Sequence, residues 1–74
     1  MEQVMIRVGG RTYAAEYAAS RGKVTVVFGG RWRCAEHGGR SPIALAGMLT
    51  AEMVRAELAA GGSPPEATVE TMPA

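Results

Sequence analysis

Aspartate and asparagine are both missing from the 74-residue sequence, and cysteine, histidine, lysine, tryptophan and phenylalanine each occur once. These absences remove most catalytic constellations before any fold is considered. A nucleophile and base pair made of Cys34 and His37 has no Asp or Asn to orient it. The two residues are also three apart on an extended segment, so they point to opposite faces, and Glu36 could assist only if the loop folded back. Structural zinc takes about four Cys or His ligands, and this pair supplies only two. Paired-carboxylate chemistry is equally thin, because Glu52 and Glu57 fall on different sides of a helix and Glu16 stands alone. We therefore expect no catalytic residues, no metal, no cofactor and no enzymatic activity.

Long apolar runs are lacking too. The richest, Ile43 to Leu49, meets Thr50, Glu52 and Arg55, well short of the ~20 apolar residues that span a bilayer. The N-terminus has no basic region followed by a signal-like apolar core, and a lone cysteine cannot close an internal disulfide. A cytoplasmic protein with no membrane partner is the expectation. Its opening methionine and single-domain length also suggest a complete small gene product.

What the chain does contain is apolar residues, at 47% of the total, and ten glycines without a three-residue period. Wholesale disorder and a collagen-like helix are thereby excluded. Val4, Ile6 and Val8 alternate, and the following Gly9-Gly10 suits a two-residue hairpin turn. This turn sets Val8 opposite Arg11, Ile6 opposite Tyr13 and Val4 opposite Ala15. A second turn centred on Arg21-Gly22 sets Ala19 opposite Val24, Tyr17 opposite Val26 and Ala15 opposite Phe28. Both turns keep the apolar side chains on one face, and that agreement is the strongest structural signal in the sequence.

The third turn has two solutions. A two-residue Gly29-Gly30 loop places Arg31 and Arg33 on the apolar face. A three-residue loop through Arg31 with a glycine bulge pairs Phe28 with Trp32 and Val26 with Cys34, burying Trp32 and freeing Arg33. The second is preferred. Ser41-Pro42 then reads as an N-cap and first helical residue, with a helix from about Pro42 to Ala60 ended by Gly61-Gly62. Leu45, Leu49, Met53, Ala56 and Ala60 form its sheet-facing stripe. The expected fold is α+β: a four-stranded antiparallel meander with one C-terminal helix on one face, ββββα. It occupies residues 1–60, and 61–74 form a disordered tail containing Gly and Pro.

Charge is nearly balanced at +1, yet between Arg7 and Arg40 seven basic residues stand against two glutamates. The glycine pairs lead into strands rather than helices, so they are turns and not phosphate loops. In the expected register Arg7, Lys23 and Arg33 lie on the open sheet face, with Arg11 and Arg31 at the same end beside the first and third turns. Such an arginine-rich sheet can dock on carboxylates of a protein or ribonucleoprotein complex, or on the phosphates and guanine edges of nucleic acid. Gly47, Ala51, Val54 and Leu58 form a second helix stripe opposite the first, available for self-association into a homodimer.

Arg31-Trp32-Arg33 on a sheet backed by the helix from Pro42 to Ala60 resembles, in order of elements, the arm-binding domains of some integrases. That resemblance implies a sheet laid into the major groove. The leading expectation is nevertheless a small non-catalytic protein-binding factor of bacterial, phage or mobile-element type. Such a factor occupies a surface of a larger complex, as an inhibitor of a host defence system does. A nucleic-acid-binding regulator is the alternative.

Overall fold

The structure is a computed structural model, and it describes residues 1–67. Four strands, β1 (Glu2–Val8), β2 (Arg11–Ser20), β3 (Lys23–Phe28) and β4 (Arg31–Glu36), are followed by one helix, α1 (Pro42–Ala59). The strands form a single antiparallel sheet in the order β1-β2-β3-β4, with α1 packed against it, so the ββββα α+β fold stands.

Each hairpin is made by a pair of residues in the left-handed region. Gly9 and Gly10 have φ of 59° and 79°, Arg21 and Gly22 have 53° and 77°, and Gly29 and Gly30 have 57° and 78°. Positive φ at both central positions is the primed geometry whose twist suits antiparallel strands. The first two registers follow the sequence pattern, with Val4 opposite Ala15, Ile6 opposite Tyr13, Tyr17 opposite Val26 and Ala19 opposite Val24. The β2–β3 ladder starts at Glu16 and Val27, so the expected Ala15–Phe28 pair lies one step beyond it.

The third hairpin differs from expectation. Gly29-Gly30 is a two-residue turn, with Phe28 opposite Arg31, Val27 opposite Trp32 and Val26 opposite Arg33. There is no bulge. Because side chains alternate with period two, the change of one residue moves all of β4 to the other face. Trp32 and Cys34 therefore point to the open side, and Arg31 and Arg33 to the helix side. The physical reason lies at the sheet edge: long guanidinium side chains there reach solvent and helix carboxylates without being buried, so neither face of β4 is closed to a charge.

Beneath α1 the core collects Val4, Tyr13, Ala15, Tyr17, Val24, Val26 and Phe28 from the sheet. Tyr13 meets Phe28 edge to face, with ring centroids 6.2 Å apart, a geometry favoured by the ring quadrupoles. The helix contributes Leu45, Ala46, Leu49, Thr50, Met53 and Val54, a broader arc than the expected stripe. Ala56 and Ala60 are exposed instead. A helix lying on a flat sheet buries two adjacent rows of side chains rather than one seam. Buried Thr50 is satisfied by donating its hydroxyl to the Ala46 carbonyl at 2.7 Å.

The helix opens as expected at Pro42, but the Ser41 side chain makes no capping hydrogen bond. Its C-terminus is closed by a Schellman ending, in which Gly61 N–H donates to the Leu58 carbonyl at 3.0 Å and Gly62 N–H to that of Glu57 at 2.9 Å. Gly61 takes φ of 81° there, a conformation that costs glycine little.

Residues 61–67, the first part of the expected disordered tail, lie against the domain. Pro64 is buried, and Ala67 N–H donates to the Thr12 carbonyl at 2.9 Å. This contact falls on the part of β2 that β3, shorter by four residues, leaves bare. The remainder of that segment, 68–74, lies outside the described residues.

Candidate protein-binding surface

The alternation of the four strands divides the arginines among different surroundings. Arg7 is on the open face, where its Nη2 donates to the Gly10 carbonyl at 3.4 Å. Lys23 is on the same face at the opposite end of the sheet, across from Glu36. Arg11 shares the side of Val8 and forms an ion pair with Glu66 at 3.3 Å. Arg31, expected beside the third turn, and Arg33, expected on the open face, sit on the helix side and pair with Glu57 at 3.5 Å and Glu52 at 3.2 Å. The single arginine-bearing face of the sequence reading is thus not formed. Three of its four guanidinium groups face glutamates drawn from α1 and from the segment after it.

Between β4 and α1 these side chains frame a cleft of about 340 Å³, lined by Phe28, Met53, Ala56 and Pro64 as well as Arg31 and Arg33. α1 packs across β1, β2 and β3; on the β4 side Ala35 joins the core, and Arg31 and Arg33 reach Glu57 and Glu52 of the helix.

The open face holds the largest exposed side chain of the sheet. Trp32 is 70% exposed, in a cross-strand row with Val27 and Glu16. Met5 is 55% exposed one row away, and Ala18, Thr25 and Cys34 form the next row on the other side. Sequence reasoning placed Trp32 in the core. The available signal was the identity of Gly29-Gly30 with Gly9-Gly10: two like turns make like two-residue hairpins.

The helix stripe expected to self-associate is divided as well. Val54 is fully buried. Gly47 faces β1, where a Cβ added to it would meet Ile6 and Val4 side chains at 3.6 and 3.9 Å. Ala51 is half-buried, and Leu58 remains 46% exposed. Gly47 and Val54 therefore belong to the packing of α1 on the sheet, leaving no continuous outward stripe through the four residues.

Cys34 is exposed. His37 anchors the loop after β4, its backbone N–H donating to the Gly22 carbonyl at 3.0 Å, while its side-chain Nδ1 is buried without a partner. Among the described residues no three His, Cys, Asp or Glu side chains gather as a metal site would require. Tyr17 donates its hydroxyl to a Glu2 carboxylate oxygen at 2.7 Å. That hydrogen bond, followed by burial and the glutamate charge, raises the tyrosine above its ordinary value of 10.0. No described helix is long and apolar enough to cross a membrane. No protein-family profile matches the chain, and no curated protein or solved structure is significantly similar to it.

Proposed function

We propose that this chain is a non-catalytic protein-binding factor whose contact surface is the open sheet face around Trp32. The observation that carries this reading is the 70% exposure of Trp32 beside Val27 and Thr25, on a strand where the alternative register would have buried it, with Ala18 and Met5 exposed farther across the same face. Tryptophan and methionine are enriched at protein interfaces, and a few central aromatic side chains commonly dominate binding energy. Arg7, Lys23 and Glu36 lie toward the ends of this face with both signs of charge, and Glu16 sits within it, in the row of Val27 and Trp32. Phosphate recognition gains less support, because Arg7 lies on the open face and Arg11, Arg31 and Arg33 on the helix side, so the arginines form no single face to lay on a duplex. Occupying a partner's surface is sufficient for inhibition, which is the form of activity we assign to it.

Affinity capture from cells that naturally express the protein tests the reading. A specific protein is expected with the natural sequence, retained after nuclease treatment and lost with Trp32→Arg. Leu58→Glu, on the other side of the molecule, should leave capture intact. Salt gives an independent check, because a complex held by six or so phosphate contacts weakens about a thousandfold or more between 50 and 200 mM. An unchanged set of captured proteins with Trp32→Arg, or a complex with that steep salt response, would displace the proposal.

A further inference from the structure

Building on the protein-binding reading, we propose that the free edge of β4 takes up an extended acidic segment of the partner protein as a fifth strand, with its carboxylates against Arg31 and Arg33. β4 ends the sheet. Among the described residues, no backbone hydrogen bond outside the sheet ladder reaches its outer edge. A strand edge of this kind offers a row of donors and acceptors to a second chain.

Charge selects what that chain carries. Arg31 and Arg33 are two residues apart on one face of the strand, so their Cα atoms are spaced by roughly 6.6 Å at a rise of about 3.3 Å per residue. An added strand has the same period, and carboxylates at alternate positions meet both arginines in register. Each guanidinium now touches a helix glutamate through Nη1 alone, at 3.5 and 3.2 Å, with side-chain exposures of 75% and 52%. The rest of each planar fork is therefore open. Exposed single-contact pairs contribute little, so exchange for a forked contact with an incoming carboxylate meets little resistance.

Shape adds two further specifications. The residue between the acids points to the open side, beside Trp32, and is expected to be apolar. A residue two places beyond the second acid, toward the Gly29-Gly30 turn, reaches the cleft over Phe28, Met53 and Pro64 and should be apolar as well. Nucleic acid fits this edge less well, because its backbone carries no amide donors with which to complete a β-ladder. Self-pairing with a second copy centred on Arg33 sets like charges together, and the mass in light scattering reports any other register.

The test uses a blocked peptide, acetyl-Thr-Glu-Val-Glu-Thr-Leu-Thr-amide, and the fluorescence of Trp32, which is the sole tryptophan and lies on the strand in question. Saturable binding is expected with the full-length protein. It should weaken at least about tenfold when lysines replace the two glutamates, as opposite-charge pairs become like-charge pairs. Combined Arg31→Glu and Arg33→Glu should reverse that preference, so that the lysine peptide binds better. N-methylation of the amides that face β4 should abolish binding while leaving the side chains unchanged. Because these arms change the peptide, they hold even if the double variant folds poorly.

No saturable signal, equal binding of the N-methylated or lysine peptides, or a doubled mass in light scattering without peptide would each overturn the edge-docking proposal. Failure here alongside loss of capture by Trp32→Arg overturns strand addition alone. Failure of both removes the protein-binding reading as well.

Discussion

The two ends of the sheet obey the same alternation and reach opposite outcomes. On β1, the side chains facing α1 include Val4, Ile6 and Val8, and the helix lies close enough that Gly47 faces Val4 and Ile6. On β4, the corresponding positions are Arg31, Arg33 and Ala35, and only Ala35 joins the core. The helix there offers Glu52 and Glu57 instead. Burying a guanidinium without a partner costs far more than a valine gains, so α1 lies over the first three strands and leaves a cleft beside the fourth. One half of the molecule is thus organised by exclusion of water, and the other retains water, charge and an unpaired edge. The second kind of surface is where binding can be added without dismantling the core.

The sharpest way to break this comparison is to truncate an aromatic side chain on each side of it. Tyr13 is 1% exposed, and Tyr13→Ala should cost about 3–5 kcal/mol, enough to unfold much of a domain this small at room temperature. Trp32→Ala should change stability by less than about 0.5 kcal/mol, the range of surface substitutions. Urea unfolding followed by circular dichroism measures both. Equal losses would mean that Trp32 packs into the core after all.

A smaller effect separates the two rows of the helix. Val54→Ala should destabilise by about 1–3 kcal/mol, since it opens a cavity under α1, whereas Leu58→Ala should stay within about 0.5 kcal/mol. Unfolding midpoints at matched slopes give the answer. The reverse order would restore Val54 to the outer stripe.

Smaller again is the coupling between Arg33 and Glu52. A double-mutant cycle with Arg33→Ala and Glu52→Ala should give about 0.2–1 kcal/mol in low salt and close to none in 1 M salt, as expected of an exposed pair. Coupling well above that range would make the β4 side a structural counterpart of the β1 side rather than its opposite.

The last distinction concerns pH and lies at β1. Tyr17 has its ionisation raised above 10.0 by the Glu2 hydrogen bond. A raised value in the folded state means that the unfolded chain loses this proton first. The associated stability is therefore complete below pH 10 and disappears as pH rises through the folded value. Tyr17→Phe should flatten the alkaline loss in a series of urea melts from pH 9 upward. An unaltered alkaline slope would place the effect elsewhere.

Much of the fold was legible because glycine positions and valine spacing constrain each other. Gly9-Gly10 and Arg21-Gly22 each fixed a turn, and each turn independently sent Val4, Ile6, Tyr13, Tyr17, Val24 and Val26 to one face. Gly61-Gly62 likewise announced the end of α1. The candidate site was legible only in composition. Arg31, Trp32 and Arg33 could be named, but their faces depended on one turn with no flanking apolar pattern strong enough to choose it. The expected association stripe failed for a related reason: a helical wheel shows angular order but not the width of the surface that the helix lies on.

The ββββα order, the first two registers and the limits of the helix follow from the order of residues alone, since all three arise from local φ preferences and period-two or helical spacing between near neighbours. Which way β4 faces becomes visible only in the folded chain. With β4 turned that way, Arg31 meets Glu57 and Arg33 meets Glu52 across the cleft, pairs separated by 26 and 19 positions in the chain. Electrostatic contacts between segments so far apart leave no periodic trace in the sequence, because the chain must fold before those charges become neighbours.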